Sequence, residues 1–355
     1  MRKGSRVDAG RMARILALRF SALGDVVMTL PVLWSFAKQY PDDEVVLLSR
    51  PIVAPLFEAM PANVGLWGVD LGKYKGLGGL WKLFKELKKE KFDGVADLHD
   101  VIRSRVLSGL LRLSGLPVER IDKDRRERRR LVKSKGRRLK PLLQQEERYR
   151  MVFACLGYPF EMKFESLFPI RKRKEPENGR VQIGIAPFAG HPTKVYPREA
   201  MERVVELLSL SGKVDVYLFG SGREEQMVCA KWADKYAGVR SMAGKGGGLL
   251  AEAEKMSELD AMLTMDSANM HIATLAGVRT LTIWGATHPY AGFGGFRQPG
   301  SSDLQVDMDC RPCSIFGSKK CGNRQKLACM RTIAPELVVE RLLAVAKESP
   351  AALKT

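Results

Sequence analysis

The sequence predicts a doubly wound α/β protein of two domains, and three observations point there. Short apolar runs alternate with amphipathic helical stretches along most of the chain, the pattern of buried parallel strands flanked by helices. At 355 residues the chain is too long for one ordinary core and suits two. A charged stretch containing Pro and Gly and lacking apolar periodicity, Arg171 to Arg180 (RKRKEPENGR), interrupts the pattern near its middle and reads as the interdomain linker.

The first domain opens on Arg14-Ile-Leu-Ala-Leu-Arg19, an apolar run ending in a Ser/Gly loop, which reads as a buried strand. A helix follows over Leu30 to Tyr40, with Pro31 tolerated in its first turn. Glu44 to Ser49 is the second strand, Leu77 to Lys89 a helix, and Gly94 to Leu98 the third strand. Beyond the break, Val181 to Ala186, Val214 to Phe219, Ala261 to Met265 and Thr280 to Trp284 read as strands. Helices over Arg198 to Leu208 and Glu224 to Tyr236 lie between them, and Ile333 to Lys347 is a last amphipathic helix. The domains are expected over 1–175 and 176–332, with a terminal segment over 333–355 packing back toward the first domain. Two such domains facing each other would bring strand carboxyl ends, and ligands with them, to the cleft between.

Composition narrows the class. No stretch approaches the roughly 20 apolar residues of a membrane helix; the best, Val26 to Ala37, is cut by Thr29 and Pro31. Only Ile15 to Leu18 is apolar before Arg19, too short for a signal-peptide core, so the expected location is the cytoplasm. Six cysteines in such a chain argue against a disulfide framework. The net charge of +19 is uneven, with 22 Lys/Arg against 9 Asp/Glu between Leu71 and Lys140. Such a stretch is either a solvated face or a patch that seeks phosphate on nucleic acid, anionic lipid or a phosphorylated substrate.

Four strand-end loops hold the candidate chemistry. In Ser21-Ala-Leu-Gly-Asp25, Gly24 lets the backbone approach a ligand, and Asp25 either caps the next helix or faces the cleft as a general base. In Gly190-His-Pro-Thr-Lys-Val-Tyr-Pro197, Lys194 is either an ordinary exposed lysine or a diphosphate partner. In Phe219-Gly-Ser-Gly-Arg-Glu-Glu225, the small residues make room for a flat ring. Glu224 can accept ribose hydroxyls, or serve as a first-turn carboxylate on the helix dipole. The fourth loop, Met265-Asp-Ser-Ala-Asn-Met-His271, runs from a strand into a small-residue helix. Free N–H groups from Ser267 to Asn269 form an anion site there. His271 adds a donor or is a satisfied structural histidine; Asp266 orients donors or holds a sugar hydroxyl.

In this order and spacing, RFSALGDVVMTLPVL (19–33), TKVYP (193–197), FGSGREE (219–225), MDSANMHIATLAG (265–277) and a late cysteine segment with CRPC and ACM resemble glycosyltransferase family 9. That family comprises the ADP-heptose:lipopolysaccharide heptosyltransferases. The resemblance runs from about Arg14 to the last helix. It implies the GT-B fold, two facing Rossmann-like domains with a deep interdomain cleft, and an inverting reaction with no catalytic metal and no cofactor. The first domain would hold the acceptor and the second the nucleotide sugar. Asp25 falls at the general-base position, Lys194 at the phosphate-contacting lysine and Glu224 at the ribose-contacting glutamate. Ser21, Gly24, Thr193, Gly220, Ser221, Asp266, Ser267, Ala268, Asn269 and His271 fall in donor-lining segments, and Arg103 and Arg105 in the acceptor half. Arg19 stands where the family often has Lys, and Ala189 and Gly190 where it often has hydroxyls; these departures bear on the donor more than on the reaction.

The implied partners are ADP-heptose, a lipid A core acceptor and the inner face of the cytoplasmic membrane, approached peripherally through Arg103, Arg105 and Arg125 to Lys140. No nucleic acid is expected: a basic nucleic-acid binder explains the charge but leaves the four loops without purpose. A GT-B enzyme using a UDP- or GDP-sugar is the nearer alternative. Cys310, Cys313, Cys321 and Cys329 are spaced for a structural metal or for a packed, redox-labile thiol cluster, and neither is catalytic.

Overall fold

A computed structural model describes residues 12–134, 139–169 and 179–347. The expected linker therefore lies outside the described residues except for Gly179 and Arg180, as do 135–138 of the basic stretch and the last eight positions, 348–355.

In chain order the elements are β1 (Arg14–Leu18), α1 (Leu23–Val27), α2 (Leu30–Gln39), β2 (Glu44–Ser49), β3 (Val64–Gly68), α3 (Gly76–Lys89), β4 (Gly94–Asp97), α4 (Ile102–Leu113), β5 (Val118–Arg120), α5 (Arg125–Lys133) and α6 (Gln145–Cys155). Then follow β6 (Val181–Ile185), α7 (Arg198–Leu210), β7 (Val214–Leu218), α8 (Gly222–Lys235), β8 (Val239–Ser241), α9 (Gly248–Ser257), β9 (Ala261–Met265), α10 (Ala268–Leu275), β10 (Thr280–Trp284), β11 (Asp303–Gln305), α11 (Ala328–Arg331) and α12 (Pro335–Lys347).

Two parallel sheets result. The first has the order β3-β2-β1-β4-β5 and the second β11-β10-β9-β6-β7-β8. The central strands are mostly apolar and buried on both faces, as strands covered by helices on two sides must be, the buried Asp215 of β7 being paired with Arg180 at 3.2 Å. Strand order reverses between β1 and β4 in the first sheet and between β6 and β9 in the second. At such a switch point the flanking loops diverge and leave a crevice beyond the strand carboxyl ends. Leu18 pairs with Asp97 and Ile185 with Leu263, so the loops after β1 and β4, and those after β6 and β9, start side by side.

The strands and helices expected from the sequence are present to within about two residues at each end. The edge strands β3, β5, β8 and β11 were not foreseen. Three of them have only three residues, and β3 carries two glycines, so no apolar period marks them.

Compact units divide the chain differently from the boundary at 175. The first contains the described residues to Asp124 together with Gln144–Glu165; the second contains Arg125–Leu143 and the described residues from Ser166. The basic helix α5 thus packs with the second unit, contrary to its expected place in the first half. Arg128 is buried there over the rings of Phe293 at 4.9 Å and Phe316 at 5.7 Å, a cation–π arrangement that removes it from any polyanion surface. Leu142 N–H donates to the Tyr290 carbonyl at 2.8 Å. The terminal helix, over Pro335–Lys347, buries its stripe Val338, Leu342, Val345 in the second unit's own core, against α7 and the sheet; positions 348–355 of the expected terminal segment lie outside the described residues.

One buried carboxyl in α6 gives a pH prediction. Glu146 Oε1 has no hydrogen-bond partner among the described residues, and burial pushes the carboxyl up from 4.5 to about 8. The folded state therefore keeps a proton that the unfolded chain releases. Stability is full below about pH 4.5 and declines as pH rises toward 8, by a few kcal/mol in all. Glu146→Gln is expected to melt several degrees above the wild type at pH 8.5 and level with it at pH 5, as thermal unfolding at the two pH values will show.

Candidate active site

At the first switch point, β1 runs into Arg19, whose guanidinium is buried and held on three sides. Nη1 donates to the Leu98 carbonyl at 2.8 Å, Nη2 pairs with Asp25 Oδ1 at 2.8 Å, and the cation lies 5.8 Å from the centre of the Tyr149 ring. Asp25 sits in the first turn of α1, where Oδ2 accepts the Ala22 N–H at 3.2 Å. The carboxylate thus caps α1, and 19% of its side chain stays open to solvent. Tyr149 reaches across from α6 to donate to the Asp25 carbonyl at 3.2 Å. Ser21 is exposed and Gly24 half-buried in the same turn.

Beside this turn, β4 ends in Asp97-Leu-His-Asp100, a polar run not singled out from the sequence. Asp97 is fully buried and accepts the N–H groups of His99 and Asp100 at 3.1 and 2.9 Å and the Ser108 hydroxyl at 3.1 Å. His99 Nδ1 accepts the Phe20 N–H at 3.4 Å, which leaves the ring proton on Nε2. Burial first, then the cations of Arg19 and Lys123, push this histidine down to about 3, so it is neutral at physiological pH. Asp100, at φ +49, takes Arg105 Nε at 2.6 Å. Arg105 is therefore tied to a carboxylate, while Arg103 lies half-buried on the first turn of α4. The usable signal was position: a polar cluster at the end of a strand neighbouring β1.

In the second unit the loops after β6 and β9 meet. Lys194 Nζ lies 2.8 Å from Asp266 Oδ2, with side chains 14% and 9% exposed. Asp266 thus holds the lysine, a role beyond the two considered for it. Next to it, Ser267 is the N-cap of α10; its Oγ is buried with no hydrogen-bond partner among the described residues. Ala268 and Asn269, half-buried, begin the helix, whose first N–H groups have no partner within it. His271 is buried one turn in.

Thr193 donates its hydroxyl to the Gly317 carbonyl. A Cβ on Gly317, itself at φ +78, would stand 2.7 Å from Lys194 Cε, so only glycine lets this loop lie against the lysine stem. Arg311 anchors that loop by donating to the carbonyls of Gly285 at 2.6 Å and Thr287 at 3.0 Å. Cys310, Cys313 and Cys321 of that loop and Cys329 on α11 are free thiols close enough to influence one another electrostatically. Burial pushes Cys313 up to about 11, whereas the Leu327 N–H, 3.4 Å from Cys321 Sγ, holds Cys321 down. Among the described residues no group of three His, Cys, Asp or Glu side chains is arranged to hold a metal ion.

A cavity of about 520 Å³ opens beside the start of α8, lined by Phe188, Tyr196, Val228, Leu327, Glu224 and Glu225 among others. The two acids divide their roles. Glu225 Oε2 accepts the Ser221 N–H at 2.7 Å and serves the helix start; Glu224 is exposed on the cavity wall. Gly220 lets the strand end close on α8, since a Cβ would stand 3.2 Å from that of Glu225.

The sequence profile of glycosyltransferase family 9 (heptosyltransferase) matches residues 80–295. The chain belongs to glycosyltransferase family 9. It is 24% identical over 334 residues to lipooligosaccharide heptosyltransferase 2 of Campylobacter jejuni serotype O:2, covering 92% of this chain and 96% of the relative. To lipopolysaccharide heptosyltransferase 1 of Pseudomonas aeruginosa it is 26% identical over 315 residues, 84% and 86% of the two chains. Among solved structures, a family 9 glycosyltransferase of Veillonella parvula superposes with TM-score 0.69 at 17% identity, over 96% of this chain and 100% of the other. E. coli heptosyltransferase WaaC with ADP gives 0.66 at 17%, over 94% and 99%. The family 9 member thus shares the two-sheet GT-B fold of these heptosyltransferases.

Proposed function

We propose that this family 9 enzyme moves a heptose from ADP-heptose onto a lipopolysaccharide inner-core acceptor by direct, inverting displacement. The observation that carries the donor assignment is the pairing of Lys194 with Asp266 at the amino terminus of α10, beside the unpartnered Ser267 hydroxyl. A cation, a buried hydroxyl and free N–H groups converge where a diphosphate leaving group needs donors in place before charge develops. Glu224 on the cavity wall receives the ribose hydroxyls, and the cavity takes the base. Lys194 with the α10 terminus makes a metal unnecessary for leaving-group stabilisation.

Asp25, oriented by Arg19, takes the proton from the acceptor hydroxyl as that oxygen attacks the anomeric carbon. The carboxylate also favours the positive charge that develops on the sugar. The acceptor would be met at the inner face of the cytoplasmic membrane; none of the described helices is long and apolar enough to cross one.

A thermal-shift panel of ADP, UDP and GDP tests the donor. Saturating ADP is expected to raise the melting temperature by about 3 °C, with UDP and GDP inert. A shift with UDP or GDP alone would reassign the donor, and no shift with any would remove the nucleotide site.

A further inference from the structure

Part of the charge concentrated before Lys140 lies on helix α3, which carries none of the candidate site residues. Helix α3 buries Leu80, Leu83, Phe84 and Leu87 against its own unit. Its opposite side carries Leu77, Trp81, Lys82, Lys85, Lys88 and Lys89, which at 100° per residue fall within an arc of about 140°. Leu77 is 75% exposed and Trp81 48%. No carboxylate lies in that arc. The two acids at its margin are engaged elsewhere: Glu86 accepts the Tyr74 hydroxyl at 2.6 Å and Glu90 pairs with Arg14 at 2.8 Å. Lys73 and Lys75 precede the helix and are exposed.

An exposed leucine and a half-exposed indole, with Lys85 5.8 Å from the indole ring centre, amid lysines that share their arc with no carboxylate, are the chemistry of a helix lying in the interface of an anionic bilayer. The indole lies at headgroup depth, Leu77 enters the acyl boundary, and the lysines meet lipid phosphates. Nucleic acid would account for the lysines and leave Leu77 without a partner.

We propose that the exposed face of α3, centred on Trp81 and Leu77 and bordered by Lys82, Lys85, Lys88 and Lys89, is the surface by which the full chain docks on an anionic lipid bilayer. It rests on the proposed peripheral association but not on the identity of the sugar. It also moves the contact from Arg125 to Lys140, part of which is buried in the second unit, to a different helix.

Flotation with vesicles of phosphatidylcholine and about 30% phosphatidylglycerol, an anionic surface, tests it. The wild type is expected to float, and Leu77→Ala/Trp81→Ala to bind at least about fivefold more weakly, a cooperative melt showing that the variant still folds despite the lost ring contact of Trp81 with Phe84. Lys82→Gln/Lys85→Gln/Lys88→Gln/Lys89→Gln is expected to lose about 100-fold or more at low salt. Quenching of Trp81 by brominated lipid, absent in Trp81→Phe, would place the ring in the bilayer. Equal flotation of wild type and both variants overturns the α3 face while leaving membrane association standing. Failure of the wild type to float overturns both, and retention on a DNA oligonucleotide without flotation assigns the lysines to nucleic acid. The nucleotide panel reads the donor site independently of all these outcomes.

Discussion

Asp25→Asn is expected to lower the turnover of heptosyl transfer about 10³-fold while changing the donor KM little. The amide matches the carboxylate in shape but keeps one acceptor oxygen where Arg19 and the Ala22 N–H use two, so one of those contacts is lost, at a modest cost in stability that leaves the variant folded. It cannot accept the acceptor's proton, and that function is lost in the transition state alone. Asp25→Ala does more: it leaves Arg19, 7% exposed at its side chain, without a carboxylate, a loss of about 2–3 kcal/mol of stability as well as activity. Initial rates at saturating donor, together with melting curves of both variants, separate the two effects. If Asp25→Asn keeps more than about a tenth of wild-type turnover, the proton goes elsewhere. The neighbouring polar groups of the β4 loop are then the next to test, because His99 lies beside the Arg19 turn.

Lys194→Met is expected to cost about 10²–10³ in turnover, roughly 3–4 kcal/mol of leaving-group stabilisation, and most of the thermal shift with ADP. Methionine retains much of the stem that packs on Gly317 and removes only the charge. The change also strands Asp266, a carboxylate only 9% exposed, and so destabilises the loop. Adding Asp266→Asn should restore stability without restoring transfer. That non-additivity in melting, against persistent loss in rate, distinguishes an ion pair that also serves catalysis from one that is only structural. Full recovery of transfer in the double variant would mean that Lys194 acts solely to neutralise Asp266.

The loops were legible because parallel strands buried on both faces leave a strong mark. β1, β9 and β10 are buried, mostly apolar runs in which the only polar residues past Arg14 are threonines, and whatever follows such a run stands at the carboxyl edge of a sheet. Asp25, Lys194, Glu224 and Asp266 could be named on that ground. Partnerships were not legible. Lys194 and Asp266 meet because β6 and β9 are neighbours across a reversal in strand order, which no local periodicity encodes. That Glu225 serves the helix start while Glu224 stays exposed is set by one hydrogen bond from the Ser221 N–H at the turn of α8.

By itself, then, the chain's sequence determined two doubly wound units, their central strands, and the strand-end loops where chemistry collects, because burial sets the residue pattern of a sheet interior. Tertiary structure alone decided that Arg19 orients Asp25, that Asp266 holds Lys194, and that α5 joins the second unit through Arg128, Phe293 and Phe316. It also left Trp81 and Leu77 of α3 facing solvent among lysines. Those outcomes depend on side chains brought together from distant positions or sorted onto opposite faces of one helix. The contacts that satisfy a charge or cover a ring exist only once the sheets have set the neighbours.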